Sequence, residues 1–361
     1  DRHQVKTGDC QIGSELLHIN IDHSKVKKYN LTSEALLGLG VESAMQYRRI
    51  NKNRLLIRGR LPVNEDHHQL LSEIGIVKEL NATSSKPLPY SREKQHLFSF
   101  KSIRKSEPSP HSEDDKTLAS EGLAEHVNEC IRDHKLELTD EANIALMKSV
   151  SEVLDNAERH SRTTEGRQGH TWFMRGYLNS HSEAQNFEIS IFNFGMTIAE
   201  SFLTLPEENY SRKMVLNYAA SHEGTFKQEQ LVTVAALQQR VSCKNSSPSE
   251  TNGQGTVVLI QFFEEFCSEF NEKFGRSEVK PMMSIVTGNT HIVFDGTYKL
   301  SQVTDDLKLE GDEQLIIAFN DENSLQSPPD PKSVRWMGKS FFPGVAISIR
   351  FPLNEEVENG K

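Results

Sequence analysis

The chain has 361 residues, of which 36% are hydrophobic, and a formal net charge of −10. This length favours two domains, and the negative charge disfavours a general nucleic-acid binder, because phosphate contacts supply most of the affinity of such proteins. No apolar run approaches the ~20 residues of a membrane-spanning helix, and the opening DRHQVKTGDC lacks the features of a signal peptide, so we expect a soluble, cytoplasmic protein without a membrane partner.

The first hundred residues alternate between strand and helix patterns. The predicted strands are LLHINID, NRLLIRGRLPV and QHLFSF, and the predicted helices are SEALLGLGVESAMQY and HHQLLSEIGIVKEL. This order predicts a small α/β domain over residues 10–101 that regulates the protein or binds a partner. It resembles a STAS-type module, although the Asp-Ser-Ser-Gly phospho-acceptor stretch of such modules is absent.

Residues 102–122 are rich in Pro, Ser and charge, which predicts a linker or a long surface loop. After it, the capping pair Thr139 and Asp140 is predicted to open a long helix. Two strands follow, HTWFMRGYL and FEISIFNF, then a long polar-rich segment and a helix that begins near Thr256. The predicted closing strands are MMSIVTG, THIVFDG, EQLIIAF and GVAISIRFP.

The long helix carries two polar residues beside its apolar stripe. Glu152 and Asn156, in the stretch SVSEVLDNAERHS, are four residues apart and therefore share one face. The simplest interpretation is that this pair forms part of a solvated polar face and has no function. The predicted core stripe consists of Ile144, Met147, Val150, Val153, Leu154 and Ala157.

Two glycine-containing stretches follow the polar pair in the chain. The predicted strand ISIFNF ends near Asn193 and is followed by Gly195 and Thr197. Further on, residues 253–256 (GQGT) stand at the mouth of a predicted helix, where backbone N–H groups form an anion site that suits phosphate. Each stretch alone is weak evidence, but the three elements in this order are much more specific.

This order resembles the GHKL, or Bergerat-fold, ATPases, which include gyrase-type topoisomerases, heat-shock 90 chaperones, histidine kinases and mismatch-repair proteins. The matching stretches are SEVLDNAERHS, IFNFGMTI and NGQGTVVLI, with support from SIVTGN and FPGVAISIRFP. The resemblance covers residues 123–355 and implies a two-layer α/β sandwich that binds ATP and Mg²⁺.

The resemblance also implies roles for individual residues. Asn156 would coordinate Mg²⁺, Glu152 would orient or deprotonate the attacking nucleophile, and residues 199–252 would form a lid from which Lys244 could reach the γ-phosphate. The residues implied to bind the nucleotide are Asn156, Asn193, Gly195, Thr197, Lys244, Gly253, Gln254, Gly255 and Thr256.

Two positions depart from the family pattern. Asn193 replaces the usual Asp that accepts the amino hydrogen of adenine, and Thr197 replaces a glycine. The amide oxygen of Asn193 can still accept this hydrogen, but it is a neutral acceptor, which leaves the base preference open. A site that has lost nucleotide binding is the alternative interpretation, although both Glu152 and Asn156 are retained.

We expect an ATP-hydrolysing regulatory protein whose nucleotide state controls a lid and either a homodimer or a separate protein effector. The alternatives are a serine protein kinase of the anti-sigma-factor type and a non-catalytic nucleotide switch. The basic stretch RRINKNRLLIRGR could bind an acidic partner or nucleic acid, but we favour the interpretation that it is a solvated strand edge.

Cysteine and histidine spacing gives no metal motif. The four cysteines lie far apart without a CxxC pair, which predicts reduced thiols rather than a zinc knuckle or a disulfide framework. His67, His68 and His160 likewise lack ligand spacing, and we predict surface or helix-end positions for them.

Overall fold

The computed structural model describes residues 17–50, 55–81, 87–89, 95–103, 112–161, 170–182, 185–247, 250, 252–274, 280–303 and 314–353. The chain is a mixed α/β protein that divides into two compact units, residues 1–91 and 92–361. Within the described part of the chain, no helix has the length and apolar character needed to span a bilayer.

The first unit is built on two parallel strands. Its elements are β1 (Leu17–Asp22), α1 (Leu31–Ile50), β2 (Leu55–Arg60), α2 (Glu65–Glu73) and α3 (Ile76–Glu79). β1 and β2 pair in register from Leu17↔Leu55 to Asp22↔Arg60, so their carboxyl ends meet at one edge. The helix predicted over residues 67–80 is divided into α2 and α3, because Gly75 has an extended backbone (φ −79°, ψ −155°).

The histidines of α2 lie at the amino end of the helix, as predicted, but they are buried, which contradicts the alternative prediction of surface positions. His67 is 0% exposed and His68 is 4% exposed. The backbone N–H of His67 donates to Oδ1 of the N-cap residue Asn64 (2.8 Å), so His67 lies in the first turn of the helix. A cap of this kind stabilises a helix by about 1 kcal/mol.

The second unit contains six helices and nine strands among its described residues. They are β3 (Gln95–Ile103), α4 (Ser112–Arg132), α5 (Asp140–His160), β4 (His170–Asn179), β5 (Asn186–Phe194), α6 (Ile198–Leu203), α7 (Tyr210–Ser221), α8 (Gln228–Ala236), α9 (Gly255–Phe274), β6 (Met282–Gly288), β7 (Thr290–Phe294), β8 (Ser301–Val303), β9 (Gln314–Ile316), β10 (Val334–Trp336) and β11 (Phe342–Pro352).

Seven of these strands form one antiparallel sheet in the order β10-β7-β6-β11-β5-β4-β3, and β8 and β9 pair separately. Ile347 of β11 lies between Ile191 of β5 and Ile285 of β6, its partners in the register. All three isoleucines are buried and belong to the main core, which also contains residues of α4 to α9.

The structure corrects the predicted domain boundaries. The strand QHLFSF is predicted to close the first domain, but β3 pairs with β4 and lies in the second unit. Residues 102–122 are predicted to be a linker, yet α4 begins at Ser112; residues 104–111 lie outside the described residues. Ala119, Leu123 and Val127 recur at four-residue intervals on α4 and are buried, which explains why this stretch is helical.

α5 begins where its cap predicts, with Oγ1 of Thr139 accepting a hydrogen bond from the N–H of Ala142 (3.1 Å). Ile144 is predicted to be in the core stripe but is 66% exposed, because the helix turns a face containing Leu146 toward the core instead. Met147 is partly buried against the core. The rest of the predicted stripe is buried, namely Val150, Val153, Leu154 and Ala157.

The segment predicted to be a lid, residues 199–252, is largely helical. It contains nearly all of α6 and the whole of α7 and α8, and buried residues such as Val215 and Leu231 belong to the main core. Apolar burial on this scale, about 1.5–3 kcal/mol for each large side chain, fixes these helices to the domain. Residues 237–254 connect α8 to α9. Their described part contains no helix, and some of these residues lie outside the described part of the chain.

Candidate functional site

A cavity of about 360 Å³ opens beside α5, the first turn of α9 and the centre of the sheet. Its volume is in the range of about 300–1,000 Å³ that is typical of small-molecule pockets. We call it the α5–α9 cavity. Nine of the predicted site residues line it, namely Glu152, Asn156, Asn193, Thr197, Lys244, Gly253, Gln254, Gly255 and Thr256.

One edge of α5 contributes a row of polar groups to the cavity. Glu152, Asn156 and His160 occur at four-residue intervals, so they lie along one side of the helix. Glu152 is exposed and Asn156 is half-buried. Arg159 Nη1 donates a hydrogen bond to Asn156 Oδ1 (3.1 Å), so a cation already contacts the oxygen that is predicted to bind Mg²⁺.

The carboxylates of α5 differ in their partners. Lys116 of α4 forms an ion pair with Asp155 and a second with Glu158 (3.2 Å). Burial alone would lower the pKa of Lys116, but hydrogen bonds to these two carboxylates raise it. Glu152 has no hydrogen bond or ion pair with any other described residue, which leaves its carboxylate available to a ligand.

The first residue of α9 lies directly against this polar row. A Cβ atom on Gly255 would be 2.8 Å from Cβ of Glu152, 3.2 Å from its Oε2 and 3.5 Å from Nδ2 of Asn156. Only a residue without a side chain allows this approach. The amino end of α9, with its unpaired N–H groups and partial positive charge, therefore faces the carboxylate and the carboxamide of α5.

Gly253 is required by a second close approach. Its φ of +98° lies in the region that favours glycine, and a Cβ atom there would collide with the backbone carbonyl of Val241. Asn245 also holds this loop, because its Nδ2 donates to the carbonyl oxygens of Arg240 (2.7 Å) and Asn252 (3.2 Å). The backbone before α9 is thereby fixed at the cavity mouth.

We expect Gly253→Ala to lower the free energy of unfolding by about 2–3 kcal/mol, through both backbone strain and the collision with Val241. The matched control is Gly296→Ala, at φ +79°, where no described residue other than its chain neighbours has an atom within 4 Å of the Cβ position, so strain alone predicts a loss of about 1 kcal/mol. Chemical denaturation measures both values. Equal losses in the two variants would contradict this account of Gly253.

The deeper part of the cavity is apolar and ends in one buried amide. Ile191, Ile285 and Ile347 form its floor on the sheet. Beside them, Asn193 is 2% exposed, and its Nδ2 has no hydrogen-bond partner among the described residues. A buried donor without a partner costs about 1–3 kcal/mol, so this group favours a ligand that supplies an acceptor.

The first predicted glycine stretch contributes less to the cavity than the sequence predicts. Gly195 does not line the cavity; its N–H donates to the carbonyl of Pro343 (3.0 Å). Thr197 lines the cavity, but it also caps α6, where its Oγ1 accepts from the N–H of Glu200 (3.1 Å) and its N–H donates to Glu200 Oε2 (2.9 Å). The main role that the structure gives Thr197 is to start α6.

A thiol and an imidazole meet at the loop side of the cavity. Cys243 Sγ is 3.6 Å from His160 Nε2. Burial lowers the pKa of His160, and the charges of Arg159 and Lys244 lower it further. Burial raises the pKa of the Cys243 thiol. Both groups are therefore neutral near pH 7, and Arg159 and Lys244 are the cations that line the cavity.

Sequence reasoning did not assign Arg159, His160 or Cys243 to the site. His160 is at the end of α5, as predicted, but it also continues the four-residue row after Asn156, and this periodicity could have identified it. Arg159 is three residues after Asn156 and could have been found in the same way. No local pattern in the sequence distinguishes Cys243.

A second cavity, of about 460 Å³, lies between α9 and the end of β7 and is lined by residues such as Phe263, Lys280 and Tyr298. It contains none of the predicted site residues. The α5–α9 cavity, which is lined by nine of these residues, is therefore the candidate site.

No protein-family model, no curated protein and no solved structure matches the chain.

Proposed function

We propose that the α5–α9 cavity binds an adenine nucleotide with Mg²⁺, in a domain of the GHKL type, and that the protein hydrolyses ATP. The observation that carries this proposal is the close approach of Gly255 to Glu152 and Asn156, which leaves no room for a Cβ atom at Gly255. It brings an open helix N-terminus, a carboxylate and a carboxamide to one cavity mouth. A phosphate chain, its metal ion and an attacking water need these three kinds of group.

The polar end of the cavity suits the phosphates. Asn156 offers a neutral oxygen to a hard cation, and the N–H groups at the start of α9 offer donors to phosphate oxygens. Arg159 and Lys244 add positive charge on the same side of the cavity. Mg²⁺ binding requires Arg159 to release Oδ1 of Asn156, and a phosphate group gives its guanidinium a new partner.

The apolar end suits a purine base. The isoleucine floor can contact the faces of the ring, and the amide of Asn193 can contact its edge. Asparagine can bond adenine twice, with its oxygen accepting from the N6 amino group and its nitrogen donating to a ring nitrogen. The second bond would satisfy the Nδ2 group that has no partner among the described residues.

Glu152 is the proposed catalytic group. Its carboxylate lies at the mouth of the cavity next to Gly255, where the phosphate chain would end, and it has no competing partner among the described residues. From this position it can orient a water molecule or accept its proton as the γ-phosphoryl group is transferred.

Calorimetry with and without Mg²⁺ tests nucleotide binding, and we expect metal-dependent heat on addition of ATP. The absence of both heat and a thermal shift at millimolar ATP would refute the proposal. Incubation with γ-labelled ATP, followed by separate counting of free phosphate and labelled protein, then tests hydrolysis. Label on the protein would favour a kinase, and binding without any turnover would favour a nucleotide switch.

Replacing Asn193 with Leu should separate ligand binding from stability. We expect the ligand-free variant to be at least as stable as the wild type, because a buried donor without a partner is removed. ATP affinity should fall by about 10–100-fold with the loss of two hydrogen bonds, as measured by calorimetry. Asn193→Asp, which keeps an acceptor and loses the donor, should bind ATP more tightly than the Leu variant. Wild-type affinity in the Leu variant would exclude Asn193 from the base site.

A further inference from the structure

The first unit contains a buried cluster of two imidazoles and a carboxylate. His67 Nε2 is 2.8 Å from Glu34 Oε1, and His23 Nε2 is 3.3 Å from Glu34 Oε2. The three side chains are at most 7% exposed. One ligand atom from each residue lies within 4.8 Å of the other two. Both Nε2 atoms therefore point at a single carboxylate inside the protein.

The fold explains why these residues meet. His23 directly follows β1, and its N–H donates to the carbonyl of Arg60 at the end of β2 (3.0 Å). Glu34 is in the first turn of α1, and His67 is in the first turn of α2. The cluster therefore lies at the carboxyl edge of two parallel strands, where α/β proteins commonly bind ligands.

The ring of His67 is held in its orientation before any ligand binds. Tyr29 stacks on it with a centroid distance of 4.2 Å and an interplanar angle of 3°. The Tyr29 hydroxyl donates to Asn64 Oδ1 (3.1 Å), the same atom that accepts from the N–H of His67. The tyrosine and the helix cap thus fix the direction of Nε2, and a preorganised ligand group costs less entropy on binding.

Electrostatics also favours a cation among these residues. Glu34 is in the first turn of α1, and the positive end of this helix stabilises its carboxylate. A divalent cation between the three groups would give this buried carboxylate a full countercharge.

We propose that His23, Glu34 and His67 bind one divalent transition-metal ion of the Zn²⁺ class. Two imidazoles and one carboxylate match the ligand preference of Zn²⁺, whereas Mg²⁺ and Ca²⁺ prefer oxygen ligands alone. Tetrahedral Zn²⁺ with bonds of about 2.0–2.2 Å spaces its ligand atoms about 3.4 Å apart. The distances of 2.8 and 3.3 Å run to the two different oxygens of Glu34, and one ligand atom from each residue lies within 4.8 Å of the other two. Side-chain movements of about 1 Å would therefore bring three ligand atoms to the spacing of a tetrahedral ion.

The ion would have a structural effect on the first unit. It would join the end of β1 to the first turns of α1 and α2, which meet over a small apolar cluster of Val41, Leu71 and Ile76. Because the unfolded chain lacks this site, metal binding stabilises the folded state. This site shares no residue with the α5–α9 cavity, so the proposal does not rest on the proposed nucleotide binding.

The test uses the full chain, stripped with a chelator, desalted and kept in excess Mg²⁺ to occupy oxygen sites. We expect one equivalent of Zn²⁺ to bind, measured by competition with a chromogenic chelator, and to raise the thermal midpoint. Glu34→Gln and His67→Gln should each weaken Zn²⁺ binding by about 100-fold or more. His18→Gln, which changes an exposed histidine on β1, should bind Zn²⁺ like the wild type.

A measurement on the wild type tests the metal site even if the variants fail to fold. Co²⁺ in this cluster should give the visible absorption of a tetrahedral ion with nitrogen and oxygen ligands, and Zn²⁺ should displace it. Intense sulfur-to-cobalt charge transfer would overturn the proposal, because it would place the metal on cysteine. No stoichiometric Zn²⁺ binding in the wild type, or unchanged binding by a folded Glu34→Gln variant, would also overturn it.

Discussion

Glu152→Gln should slow ATP turnover by about 10²–10⁴-fold while ATP affinity stays within a few-fold of the wild type. The reason is positional, since Glu152 contacts Gly255 at the cavity mouth and has no partner among the described residues. Glutamine keeps the size and the hydrogen-bonding reach of the side chain but cannot accept a proton from water. Steady-state release of phosphate and calorimetric titration with ATP measure the two quantities.

Glu158→Gln is the matched control for this experiment. Glu158 is on the same helix, pairs with Lys116 and does not line the cavity. We expect its turnover to remain within about twofold of the wild type, with a stability change of about 1 kcal/mol, because the ion pair is partly exposed and Lys116 keeps Asp155 as a partner. If both variants hydrolyse ATP at the wild-type rate, Glu152 is a solvated residue and the catalytic assignment is wrong.

Asn156→Ala should remove the Mg²⁺ dependence of ATP binding. The carboxamide oxygen is the proposed metal ligand, so its loss should weaken ATP binding in the presence of Mg²⁺ by about 100-fold, or about 2.7 kcal/mol. Binding without Mg²⁺ should change little. Calorimetry in magnesium and in chelator gives both affinities.

The control for Asn156 is Asn143→Ala, which removes a carboxamide from the same helix outside the cavity. We expect this variant to keep the full response to Mg²⁺. A response that also survives in Asn156→Ala would show that the metal has other ligands, and Asn156 would then be only a hydrogen-bond acceptor for Arg159.

Elements with strong local signals could be predicted closely from the sequence. α5 begins after the cap of Thr139, and α9 begins at Gly255, one residue before the predicted start. The exposed position of Ile144 could not be predicted in this way. Periodicity identifies an apolar face, but only the packing of α4 and α9 against α5 decides which edge of that face is covered.

Interactions between distant parts of the chain were harder to predict. The order of elements predicts that β3 belongs with its sequence neighbours, whereas its backbone partners are in β4, far along the chain. The helices α6 to α8 are not among the predicted elements, because the polar end of residues 199–252 obscures the apolar pattern of the rest of the segment. Apolar stretches such as QLVTVAA in α8 contain a helical pattern that composition alone obscures.

The candidate site was predicted better than the cluster of the first unit. Local patterns identify the pair Glu152 and Asn156 and the glycines before α9, and the order of these stretches, together with the resemblance to the GHKL family, groups them at one site. His23 and Glu34 come from separate elements, and no metal-motif spacing connects them with the histidines of α2. Only the parallel pairing of β1 and β2, together with the first turns of two helices, brings this cluster together.

The three polar side chains along one side of the cavity all come from α5. The geometry of this single helix therefore sets the distances between them. Glu152, Asn156 and His160 are separated by about 6 Å of helical rise per step. A single residue inserted between Glu152 and Asn156 would rotate one relative to the other by about 100° around the helix axis. Substitutions can therefore change the side chains of this row one at a time. An insertion or deletion between them would move part of the row to another face of the helix.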